Sequence, residues 1–292
     1  MSRLRTANSL LRKGARARLT RTAPPSPAPA RDPAAPGPVA ASARPPADPA
    51  TDRLLRAPVF ILSAPRSGST LLRVILNSHS RLCAPHETHV RMLHVRQSTP
   101  TVTAAMDSFG HNTADIEHLL WDRVLHRELV RSGKPTLVEK TPSNVFVSER
   151  LATCWPDARF VFLLRHPASV ARSWHEGDPA GRPMERAVPH VLAYMEQLER
   201  TRQQLPGHTV RYESLTADPE GETRKVCAFL DIPWEESMTA YGDNDHGEFV
   251  KGLGDWKDKI RTGTVQRSRP LPTPEEIPAA LLPMCRTWGY LD

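Results

Sequence analysis

Residues 59–77, VFILSAPRSGSTLLRVILN, join an apolar run to a small-residue turn and then to a helical pattern. Val59–Ser63 is short, apolar and partly β-branched, which predicts a buried strand. Pro65 and Gly68 break the run, and Thr70–Asn77 resumes with apolar residues at helical spacing. The pattern recurs at Arg159–Leu164 followed by Ala168–Trp174, and at His208–Glu213 followed by Glu220–Leu230. Thr136–Val138 is a further short strand, and helical patterns fill Ala114–Arg131, Asn144–Cys154 and Arg186–Gln204. Strands alternating with helices in this way predict an α/β fold, a mostly parallel central sheet flanked by helices.

The first turn, Ala64-Pro65-Arg66-Ser67-Gly68-Ser69-Thr70, has the makings of an anion site. A helix start presents unpaired backbone N–H groups and the positive end of the helix dipole. Gly68 allows the backbone to approach a ligand closely, Ser67, Ser69 and Thr70 add hydroxyl donors, and Arg66 adds a fixed charge. A nucleoside-triphosphate kinase would carry G-x-x-x-x-G-K-[ST] at this point. The first glycine and the lysine are both missing, which points to a less charged donor handled without a metal ion.

Charge argues against a nucleic-acid partner. The chain of 292 residues has a net charge of +7, but residues 1–52 hold nine basic side chains against three acids, so the rest is nearly neutral. Residues 23–52 contain ten prolines among many alanines and cannot bury enough surface to fold. The expected organisation is a disordered basic, then Pro/Ala-rich tail over 1–52, and one folded domain over 53–292. The tail could dock an acidic partner. Cys83, Cys154, Cys227 and Cys285 show no metal-ligand spacing and read as reduced thiols. No apolar run is long enough to span a membrane or to serve as a secretory signal, so a cytoplasmic location is expected. Trp155, Trp174 and Trp234 read as core.

Further segments give the turn its meaning. Arg165 ends an apolar strand and Ser173 follows eight residues later in the next helix. An arginine at a strand's carboxyl end lies beside the crevice where open α/β sheets bind ligands. Val138-Glu139-Lys140-Thr141-Pro142 puts a lysine just after another strand, and Pro85-His86-Glu87-Thr88-His89 offers two titratable groups two positions apart. In an extended chain Glu87 and His89 would point the same way.

Together these segments resemble the PAPS-dependent sulfotransferases, which have a P-loop-NTPase-like fold. PRSGST is similar to that family's 5′-phosphosulfate loop, implying that Arg66, Ser67, Gly68, Ser69 and Thr70 hold the donor. Arg165 and Ser173 match the pair that binds the 3′-phosphate, and Tyr212 resembles the tyrosine that contacts adenine. Lys251-Gly252 resembles the pair that closes over the 3′-phosphate end, although Val250 stands where an arginine is common and the stretch is one residue short. Lys140 resembles the lysine that neutralises the leaving oxygen, work shared with Arg66. Glu87 stands 21 residues after Arg66, as the base does in tyrosylprotein sulfotransferases, and Pro85, Glu87 and His89 are similar to a segment of polyketide and olefin assembly-line domains.

The resemblance implies transfer of sulfonate from PAPS to a hydroxyl group, leaving PAP (3′,5′-ADP), with no metal. Glu87 would be the base with His89 as helper, or the reverse. The acceptor would be a small-molecule alcohol or phenol, or an acyl chain on a carrier protein; peptide tyrosines, glycans and glycolipids are alternatives. A small-molecule kinase and a non-catalytic nucleotide-binding protein are the competing classes. Segments 99–114 and 174–185 are the expected lining of the acceptor pocket.

Overall fold

A computed structural model describes residues 44–246, residue 260 and residues 262–292. Five parallel strands form one sheet: β1 Val59–Ser63, β2 Leu82–Cys83, β3 Thr136–Glu139, β4 Arg159–Leu164 and β5 Gly207–Arg211, in the order β2-β3-β1-β4-β5. The expected α/β class is what the chain adopts. Val59 lies in register with Val138 on one side and Arg159 on the other, so β1 is central and buried at every position.

Alternation along β1 feeds two cores. Phe60 and Leu62 pack with Trp155, Trp121 and Leu198, whereas Val59 and Ile61 pack with Leu72, Ile75 and Val226. Burial on both faces explains why the strand reads as an unbroken apolar run. The flanking helices include α1 Ser69–Asn77, α2 Thr113–Ser132, α3 Ser148–Cys154, α4 Pro167–His175, α5 Met184–Gln204, α6 Tyr212–Ala217 and α7 Pro219–Phe229. Because β1 is paired with both β3 and β4, the loops leaving the three strands emerge side by side. A ligand crevice forms in open sheets at such a point.

Three elements differ from expectation. The last strand stops at Arg211, and Tyr212 opens a helix instead of extending the strand to Glu213. The Glu213 carboxylate accepts the His166 N–H at 3.0 Å and the Tyr290 hydroxyl at 2.7 Å, and these long-range bonds draw 212–217 into a helical turn. The single helix expected over 144–154 is a 3₁₀ segment, Pro142–Val147, followed by α3. Strand β2 has two residues, too few to show a period.

Trp155 and Trp174 are buried, while Trp234 is half-buried. All four cysteines are buried and free. Arg44, which falls in the expected tail, pairs with Asp115 at 2.7 Å, and Pro49–Asp52 forms a short helical turn. Among the described residues no helix is long and apolar enough to cross a membrane.

Candidate active site

The loop after β1 is shaped by two residues with left-handed backbone, Arg66 at φ 68° and Gly68 at φ 89°. Gly68 caps α1, and its carbonyl accepts the Leu72 N–H at 3.2 Å, so the helix begins directly beneath the loop. Gly68 is also required by space, because a Cβ there would meet the Tyr212 ring at 2.3 Å. The Arg165 guanidinium lies 4.3 Å from the centre of that ring and donates to the Arg66 carbonyl at 2.8 Å. Arg66 Nε in turn donates to Ser173 Oγ at 3.3 Å. Burial pulls the Arg165 pKa below the ordinary arginine value.

These residues share one cleft of about 600 Å³. Arg66, Gly68, Ser69 and Thr70 line it from the loop, Arg165 and Tyr212 from the ends of β4 and β5, Ser173 from α4, and Glu87 from the segment after β2. Ser67, expected to bind the donor as well, is buried and is not among the described residues lining the cleft. Lys251 and Gly252 lie outside the described residues. Of the two expected acceptor segments, 174–185 supplies Trp174, Glu176 and Arg182 to the cleft, and none of 99–114 is among the described residues lining it. Helix Pro100–Ser108, in that second segment, buries none of its residues.

Glu87 is held from both sides. Lys140 Nζ donates to Glu87 Oε1 at 2.5 Å, and His89 Nε2 lies 3.4 Å from Oε2. Lys140 is 1% exposed, so it meets the cleft through Glu87. Burial lowers the Lys140 pKa, and the Glu87 charge opposes that shift. The extended geometry expected for 87–89 ends at His89, whose backbone is left-handed at φ 50°; the two side chains meet nonetheless.

Two residues that sequence reasoning missed fix this segment. Glu139, fully buried at the end of β3, accepts from Thr88 Oγ1 and Thr141 Oγ1, each at 2.7 Å, and from the Asn144 amide. Thr141 Oγ1 also receives the His89 N–H at 3.3 Å. Burial pushes the Glu139 carboxyl up, against those hydrogen bonds and Lys140. Arg73, 1% exposed, donates to the Ala84 carbonyl at 2.7 Å. An arginine amid the apolar residues of α1 and a glutamate ending an apolar strand were the available signals.

The arrangement puts a carboxylate with two cationic or imidazole neighbours in one cleft with a helix-capped, arginine-bearing loop. It can remove a proton on one side and stabilise developing negative charge on the other. Among the described residues no group of three His, Cys, Asp or Glu side chains is arranged to hold a metal ion.

Residues 58–236 match a family model described as the sulfotransferase family. The chain is 26% identical over 205 residues to nodulation protein NoeE of Sinorhizobium fredii, covering 59% of this chain and 49% of that protein. It is 26% identical over 210 residues to a protein-tyrosine sulfotransferase of Drosophila melanogaster, covering 66% of this chain and 40% of that one. The chain thus spans half or less of the length of these curated relatives. Its structure is similar to the sulfotransferase domain from the curacin biosynthetic pathway, with a TM-score of 0.62 and 22% identity, covering 81% of this chain and 99% of that one. That likeness establishes the fold.

Proposed function

Because the chain belongs to the sulfotransferase family, we propose that its cleft moves the sulfonate group of PAPS onto a hydroxyl group of an acceptor. The observation that carries this reading is that Glu87, ion-paired to the buried Lys140, faces the same cleft as the Arg66 loop and Arg165. The acceptor oxygen attacks sulfur while the bond from sulfur to the 5′-phosphate oxygen breaks on the far side. Glu87 takes the hydroxyl proton. His89 touches the second carboxylate oxygen and orients it.

Charge accumulates on the leaving phosphate, where Arg66 and the amide groups at the start of α1 stabilise it. Lys140 is coupled to the proton: when Glu87 is neutralised, the ammonium loses its counter-charge and its attraction shifts to the leaving oxygen. Arg165 and Ser173 hold the 3′-phosphate, and Tyr212 contacts the adenine, a role that its closeness to Arg165 and Gly68 supports. The products are the sulfated acceptor and 3′,5′-ADP.

The acceptor is a small-molecule or carrier-bound alcohol or phenol. The Pro85-x-Glu87-x-His89 segment supports an acyl-chain alcohol, and similarity to a protein-tyrosine sulfotransferase supports a phenol. The test is incubation with PAPS and a panel of both classes, set against ATP with magnesium. Acceptor-dependent release of 3′,5′-ADP that a chelator leaves unchanged is expected. Magnesium-dependent ATP turnover without PAPS binding would contradict the reading.

A further inference from the structure

The cleft holds more positive charge than sulfonate transfer uses. Arg66 and Arg165 are assigned to the donor, Arg172 lines the cleft next to Ser173, and Arg269 is ion-paired with Glu176 at 2.8 Å. Arg182 also lines the cleft, and no carboxylate pairs with it among the described residues. Its guanidinium carbon lies instead 4.8 Å from the centre of the Trp174 ring. A guanidinium stacked on an aromatic face keeps its N–H edges available, and their fork geometry suits a carboxylate or phosphate.

This arginine is held in place. Its backbone N–H donates to the Asp178 carbonyl at 2.8 Å, and its own carbonyl contacts the His175 ring at 2.8 Å. Trp174 is 8% exposed and stacked on His190 at 4.5 Å, so the platform beneath the guanidinium is rigid. Preorganisation of this kind lowers the entropic cost of seating an anion.

Arg182 rests on a different side chain of α4 from the one that meets the donor loop. Ser173 turns toward Arg66, whereas Trp174, about 100° further round α4, turns toward α5. From there an aromatic row continues through His190 to Tyr194 at 5.2 Å and Phe146 at 4.6 Å. Phe146 belongs to the 3₁₀ segment that follows Lys140. The row therefore runs from the platform under Arg182 to the segment that follows Lys140.

We propose that Arg182 on Trp174 is an anion seat for the acceptor: the hydroxylated substrate carries a carboxylate or phosphate at the end remote from its reacting hydroxyl. The proposal rests on the sulfotransferase reading. It is tested by calorimetry on protein saturated with 3′,5′-ADP, a measurement that needs no turnover. The probes are 4-hydroxyphenylacetate against its methyl ester, and 3-hydroxydecanoate against its methyl ester. Wild-type protein should bind at least one acid roughly 10- to 100-fold more tightly than its ester. Arg182→Gln should erase that preference and leave 3′,5′-ADP affinity and the melting temperature unchanged. Equal binding of acid and ester, binding of neither, or loss of 3′,5′-ADP affinity in R182Q would overturn the proposal while the sulfotransferase reading stands. Wild-type protein that fails to bind 3′,5′-ADP would remove that reading, and this one with it.

Discussion

The proposed anion loop at 65–70 and the proposed base segment at 84–89 both reach the cleft, the second through Glu87, but they are held by different means. The loop starts from a local device, a glycine at φ 89° capping the helix that begins one residue later, and the Arg165 and Ser173 contacts of Arg66 then pin it from across the fold. The base segment has no regular structure and is tied to residues more than fifty positions away. Thr88 is bound to Glu139, His89 to Thr141 and Glu87 to Lys140. Anion binding comes with a helix start, whereas a positioned proton acceptor has to be built from tertiary contacts. Damage to either side should therefore leave the other's chemistry in place, and each of the following substitutions tests that separation.

The largest effect belongs to Glu87. Glu87→Gln keeps the shape but cannot take a proton, and should lower turnover roughly 10²- to 10⁴-fold. Its 3′,5′-ADP affinity, measured by calorimetry, should stay near wild type. A parallel loss of affinity would break the separation. Arg165→Ala should do the opposite, weakening 3′,5′-ADP binding roughly 10- to 100-fold, with most turnover retained at saturating PAPS. Unchanged affinity would remove Arg165 from the nucleotide contacts.

Glu139→Gln sharpens the contrast, since Glu139 touches the base segment and no part of the loop among its hydrogen-bond partners. A small misplacement of Glu87 should cost about tenfold in kcat, with the KM for PAPS unmoved. A raised KM for PAPS at normal kcat would place Glu139 on the nucleotide side. The smallest effect is on pH dependence. The working form of Lys140 is the ammonium, so activity should fall as pH rises through a pKa that burial holds below the ordinary value of 10.5. Because the Glu87 charge raises that pKa, the residual activity of Glu87→Gln should fall at still lower pH. An unmoved alkaline limb in that variant would uncouple the two side chains.

The same contrast decides what was legible in the sequence. The strand–turn–helix at 59–77 is read from local pattern alone, and Arg66, Gly68, Ser69 and Thr70 all line the cleft. Arg165 and Ser173, which the resemblance pairs at the 3′-phosphate, both line that cleft, one from a strand end and one from the helix that follows it. A glutamate ending an apolar strand marks Glu139 as unusual, but no local pattern tells that it gathers Thr88, Thr141 and Asn144. Tyr212 was read into the strand, since its local propensity favours β structure and only the bonds of Glu213 to His166 and Tyr290 override it. Arg182 falls in the 174–185 segment expected to line the acceptor pocket, but no sequence pattern tells that it rests over Trp174.

The claim at the centre is that a donor gripped by the Arg66 loop sits opposite a proton acceptor held by Lys140. A crystal structure of the complex with 3′,5′-ADP tests it most directly. The 5′-phosphate should rest on the backbone amides of 67–70, the 3′-phosphate should contact Arg165 and Ser173, and the Glu87 carboxylate, still paired with Lys140 Nζ, should face the open space beyond the 5′-phosphate. A nucleotide bound with its 5′-phosphate at Arg165, or with Glu87 turned away from that space, would contradict the account.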